Sequence, residues 1–172
     1  MALEINKLLN ASVYADNKSL LGKADEVKLP DLKFVKSDHA PLGLAGKVKY
    51  PGQVDAMEGT IKWNCFYADV YKKFANPYKS IKLTLRGVLD TYVGSDRTSR
   101  VPYVVAMTIN SDGVPAGNIK AGDNAEFETA YSATYLKVEV AGEVILEFDA
   151  VNNIHFVDGV DLLKEFRQII GQ

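Results

Sequence analysis

Apolar and polar residues alternate along most of this chain. From Thr60 to Tyr67, Ile61, Trp63 and Cys65 fall on one face, and Lys62 and Asn64 on the other. From Ser80 to Val93, Ile81, Leu83 and Leu85 alternate with Lys82, Thr84 and Arg86. A period of two is that of a strand with one buried face. Val101 to Asn110 and Glu126 to Val140 are further β-rich runs, the second carrying Tyr131, Thr134, Tyr135, Val138 and Val140. Turn residues punctuate the runs. Asp16-Asn17-Lys18 closes a hairpin over Val13 to Leu21, because Asp and Asn tolerate positive φ. Ala141-Gly142 turns the chain into Val144 to Ala150, a second hairpin. Ala24 to Leu29 reads as a strand that stops at Pro30, whose nitrogen has no proton to donate.

Two segments break the period of two. Ala68 to Ala75 predicts a short helix ended by Asn76-Pro77. Leu162, Leu163, Phe166, Ile169 and Ile170 recur at helical spacing and form one apolar stripe, which predicts a C-terminal helix facing the core. Asp158 or Asp161 is placed to cap its start, and Gly171 to occupy the left-handed position after its last turn. The sum is a mainly β (α+β) chain: one domain over 1–172, an antiparallel sandwich or curled sheet closed off by an amphipathic helix.

Residues 37–55 fit neither pattern. Pro41, Gly43, Gly46, Pro51 and Gly52 interrupt any regular element there, which predicts a long loop. The loop nonetheless carries Leu42, Leu44 and Val48. Apolar residues on a loop need a cover, and another protein would supply one.

Composition narrows the function classes. With 20 basic and 22 acidic residues the net charge is −2, so there is no basic excess to grip nucleic acid. The single cysteine, Cys65, excludes an intrachain disulfide. The first twelve residues include Glu4 and Lys7 and lack an apolar run of signal-peptide length, so the chain reads as a cytoplasmic product with no membrane anchor. Two histidines, His39 and His155, with one cysteine do not make a zinc cluster. Cys65 shares a predicted face with Ile61 and Trp63, which suits a buried thiol better than a nucleophile. Gly43 to Lys47 lacks the outer glycine and the Ser or Thr of a phosphate loop. Glu126 and Glu128 would share one side of a strand, a pattern typical of a solvated face. Tyr131, Tyr135, Phe148 and Phe156 lack interleaved basic residues and read as core or interface. No catalytic residue, metal ligand or cofactor site is assigned.

Three stretches resemble a known family. They are Gly22 to Lys33, Asp55 to Trp63, and Gly142 to Asp161 followed by the terminal helix. The last is the most specific: a hairpin with Gly142, Glu143 and Asp149, then Asn152-Asn153, then Asp158-Gly159-Val160-Asp161. In this order they resemble the major tail tube protein of contractile-tailed bacteriophages of the P2 type and of R-type contractile bacteriocins. The middle, from Ala68 to Asn124, matches only loosely.

The resemblance implies a structural protein. Subunits would form hexameric rings whose strands join into one barrel around a pore, and the rings would stack into a tube inside a contractile sheath. Partners would be further copies, the sheath, and baseplate and tail terminator proteins. DNA would be a transient lumen cargo in a phage, and the particle would be assembled from protein made in the bacterial cytoplasm. The family places a ring-stacking loop where 37–55 lies, which nominates His39, Pro41, Leu42, Gly43, Leu44, Gly46, Val48 and Tyr50. The family's loop is often rich in paired glycines, and this one is not. A conduit for DNA should not be basic, yet Lys62, Lys82 and Arg86 stand together on predicted polar faces. Two other readings remain open on the residues alone: a monomeric β-sandwich binding module, and a hydrolase using scattered carboxylates.

Overall fold

The computed structural model describes residues 3–39, 45–114 and 116–172. Its strands are β1 (Glu4–Ala15), β2 (Lys18–Ser19), β3 (Ala24–Lys28), β4 (Phe34–His39), β5 (Val48–Val54) and β6 (Met57–Trp63). Helix α1 (Ala68–Phe74) follows, then β7 (Ile81–Val93), β8 (Asp96–Ser111), β9 (Phe127–Val140), β10 (Glu143–Asp149), β11 (Ile154–Val157), β12 (Val160–Asp161) and α2 (Lys164–Ile170).

Ten strands share one sheet in the order β12-β11-β10-β9-β8-β7-β1-β2, with β3 and β6 branching from β9. The pairings are antiparallel, as hairpin-connected strands dictate. The fork lies in β9. Its first half pairs with β6, from Phe127↔Trp63 to Ala133↔Met57. Its second half pairs with β10, from Tyr135↔Asp149 to Val140↔Glu143. A bulge at Thr134 separates the halves and keeps the inward residues inward, so Ala133 and Leu136 are both buried.

The core lies between the long strands and the β3–β6 branch with α1. Leu83, Ile81, Val105, Met107, Ile109 and Tyr131 from the long strands meet Ile61, Trp63, Val70 and Phe74. Trp63 keeps its Nε1 proton satisfied by donating to Thr129 Oγ1 at 3.0 Å. Tyr131 is fully buried, and its hydroxyl donates to the Lys28 carbonyl at 2.9 Å. Its ring passes so close to Gly59 that a Cβ there would lie 2.5 Å from it.

Two expectations about the elements need correction. Residues 37–55 are not a plain loop: β4 and β5 pair into a two-stranded ribbon, a sheet of its own. Pro51 is tolerated because it sits at a register shift on a strand that has no second neighbour among the described residues. Pro41, Leu42, Gly43 and Leu44 lie outside the described residues. The C-terminal helix does not close the core either. None of its residues is buried, and α1, through Val70 and Phe74, is the helix that packs on the core.

Candidate assembly surfaces

The long strands have two unlike faces. Inward positions of β7 are the buried Ile81, Leu83 and Leu85. Outward positions align in rows across the sheet. One row runs Tyr14, Thr84, Ala106, Lys137, Glu147 and Phe156. The next runs Ser12, Arg86, Val104, Glu139 and Val144. A third carries Lys82, Thr108, Tyr135 and Asp149. This face is polar and mixed in sign. Lys137 pairs with Glu139, and Glu147 accepts the Tyr135 hydroxyl at 2.9 Å. Burial and that carboxylate both push the Tyr135 phenol up, so it stays neutral. Arg86 lies 5.9 Å from the centre of the Tyr14 ring.

Lys62 belongs to a different row, flanked by Glu26 on β3 and Glu128 on β9. It donates to Glu26 at 2.8 Å, and this hydrogen bond raises the lysine above its ordinary range. Glu128 thus faces solvent as a charge partner.

Beyond the core, three strands continue without the fourth. The last β8–β9 pair is Tyr103↔Val140, whereas β8 goes on pairing with β7 back to Asp96. Residues 96–102 of β8, the facing part of β7 and the start of β1 therefore form a projecting blade. Seven strand residues give it a reach of roughly 20 Å. It departs at a bulge between Leu8 and Ala11, where Gly87 lets β1 come close: a Cβ there would lie 3.1 Å from the Asn10 carbonyl oxygen. Leu3, Ile5, Leu8, Leu9 and Val88 on the blade are exposed.

The blade is held by charge. Asp90 has no exposed side chain, and its two carboxylate oxygens accept Arg100 Nε at 2.6 Å and Nη2 at 2.7 Å. Arg97 lies 3.6 Å away. The Arg100 hydrogen bonds hold the Asp90 carboxyl below the usual carboxylate range.

The ribbon is the second projection. His39 packs edge-on to Tyr50 at 6.1 Å, and Val48 and Tyr50 are exposed, as are Phe34 and Val35 at its base. Gly46 lies between its strands, in the connection. Phe34 stacks on His155 at 5.8 Å, and His155 meets Phe148 edge-on at 5.5 Å. A groove of about 380 Å³ opens there between the ribbon and α2, with Phe34, Val54, Phe148, Leu163 and Phe166 in its walls.

The C-terminal block shapes its own turns. Ala141 and Gly142 (φ 54 and 86) make the turn before Glu143, and Asp158-Gly159 (φ 47 and 79) makes another. Asp149 accepts the amides of Val151 and Asn152 at 2.9 Å. Asp161 accepts the Leu163 amide at 3.1 Å and pairs with Arg167, which holds its carboxyl low. Arg167 also donates to the Asn153 carbonyl at 2.7 Å, and Asn153 donates to Gln172 at 2.8 Å. These bonds fasten α2 beside the turn at 150–153. Along the helix Leu162, Phe166, Ile169 and Ile170 remain exposed. Gly171 takes the left-handed position as expected.

Cys65 is half-buried beside a small apolar pocket with Phe66, Phe74 and Phe127, and no histidine lines it. Among the described residues no group of three His, Cys, Asp or Glu could hold a metal ion. No described helix is long and apolar enough to cross a membrane.

The family model of the phage tail tube protein FII matches residues 5–171. The chain belongs to that family. It is a structural protein of a tail tube. The tail tube protein of Escherichia phage P2 is 25% identical over 169 residues, covering 96% of this chain and 95% of the P2 protein. The major tail tube protein of Serratia phage KSP20 is 26% identical over 159 residues, covering 92% and 91%. Among solved structures, the fold matches a chain in the sheath-tube complex of PVC, an extracellular contractile injection system (TM-score 0.55, 13% identity, 76% of this chain and 88% of that one). It also matches a chain in the sheath/tube terminator structure of PVC (TM-score 0.54, 13% identity, 76% and 93%). This tail tube chain therefore keeps its fold at identities where few individual residues persist. The blade and ribbon could not have been found by motif search, because their signal is exposure.

Proposed function

We propose that this tail tube subunit forms hexameric rings that stack into the inner tube of a contractile injection tail. The observation that carries this is the sheet itself. One face of its long strands is committed to the core, the other is polar, and among the described residues β1 over residues 4–12 has a strand on one side only. Joining such edges between copies satisfies their backbone groups and closes a barrel. The polar face then lines the pore. Its acids Glu139, Glu147 and Asp149 offset its bases Lys82, Arg86 and Lys137, so a passing polyanion finds no net basic wall. Lys62, tied to Glu26 in the β3–β6 branch, stays off that wall.

The ribbon stacks rings. A two-stranded hairpin is marginal alone, and Val48 and Tyr50 gain a cover only from another molecule. The outer surface faces a sheath, and the tube's ends meet baseplate and terminator proteins. The conduit passes DNA in a phage or pierces an envelope in a bacteriocin; no catalytic step is involved.

Negative-stain electron microscopy of the purified protein across a concentration series tests the reading. Rings or hollow tubes of constant width are expected. A uniform monomer at every concentration, with saturable binding of a small ligand, would instead favour a binding module.

A further inference from the structure

The two apolar projections stand at opposite ends of the sheet. The blade leaves at the end that carries the Gly94 turn, where the Gly94 amide donates to the Leu3 carbonyl at 3.2 Å. The groove opens at the other end, beside the turn at 150–153, where Arg167 fastens α2 to Asn153. A copy's own blade cannot reach its own groove. We infer that in the tube the blade of one copy seats in the groove between the ribbon and α2 of a copy in the next ring.

This rests on the stacked-ring reading and names the surface that the ribbon's ring meets. Four observations select a second copy as the occupant. Both surfaces expose large apolar side chains, Ile5 and Leu9 on one and Phe34 and Phe166 on the other. They point in opposite directions along the strands, the arrangement that makes a head-to-tail contact repeat without closing. The blade overhangs the body by roughly 20 Å, so rings in contact must interleave there. The groove adjoins the ribbon, so blade contact extends one stacking interface and needs no new one. Exposed apolar side chains on a projection are an aggregation hazard in a free subunit, and burial in the next ring removes it.

The test uses two kinds of variant of the full chain. Ile5→Glu with Leu9→Glu alters only half-exposed side chains, so circular dichroism should be unchanged while tubes are lost. Separately, Ile5→Cys with Phe166→Cys, in a Cys65→Ser background, is assembled and treated with a short bismaleimide. Contact between successive rings predicts a covalent ladder running past six subunits. Normal tubes from the glutamate variant, tubes that do not cross-link, or a ladder stopping at six would each overturn the inference and leave the tube intact. A wild-type protein that never forms tubes would overturn both. If the glutamate variant fails to fold, the cross-linking ladder decides.

Discussion

The body of this subunit and its two projections obey different rules. In the body, Ile61, Leu83, Val105, Ile109 and Tyr131 have essentially no exposed surface. In the blade and ribbon, Ile5, Leu8, Val35 and Tyr50 are about half exposed. Both regions are strands with apolar side chains, so composition does not separate them. What differs is the cover: the body supplies its own, and in the proposed tube other copies supply that of the projections.

Mutations sharpen that contrast. The largest effect belongs to the body. Phe74→Ala removes a fully buried ring and is expected to cost about 3–5 kcal/mol in urea unfolding of the free subunit. Leu9→Ala on the blade should change the same measurement by less than about 0.5 kcal/mol. Equal losses would erase the distinction between regions.

Asp90→Asn comes next and acts within the blade. It breaks the only buried carboxylate pairing described there, so blade amides should exchange faster while the body stays protected. The folded pKa of Asp90 lies below its unfolded value of about 3.9. The unfolded state therefore takes up the proton first as pH falls. The contribution is fully present above pH of about 4 and disappears as pH drops through the folded value. Wild type and Asp90→Asn should converge in acid and diverge at neutral pH; the opposite trend would refute the assignment.

Smaller effects test the packing around Tyr131. Gly59→Ala forces a Cβ to within 2.5 Å of the tyrosine ring and should cost about 1–3 kcal/mol. Tyr131→Phe deletes the hydroxyl that satisfies Lys28 and should cost about 1 kcal/mol. Smallest of all is Lys62→Ala. Its pair with Glu26 is exposed on both sides, so only a small loss is expected in urea unfolding, fading with salt.

How much of this was legible in the sequence follows the same division. Alternation in Ile81 to Leu85, and the turns at Asp16-Asn17 and Ala141-Gly142, gave strands and hairpins that the structure contains; φ is positive at all four turn residues. These are local signals with local causes. The start of β1 was not legible, because adjacent Leu8 and Leu9 with a bulge after them break the period of two. The ribbon was hidden by Pro51 and Gly52, which a central strand would reject but an edge strand accepts. The apolar stripe of α2 is present but lies outside the core, since periodicity shows that a helix has an apolar face and not what covers it. Exposure of an apolar side chain leaves no mark in the local sequence pattern.

Hydrogen exchange on the free subunit and on assembled tubes tests the central claim most directly. Amides of 81–85, 105–109 and 131–136 are expected to be protected in both states. Amides of 4–9, 34–39 and 48–54 should become protected only in tubes. Equal protection of those segments in the free subunit would contradict it, because the projections would then be stable without the copies said to complete them.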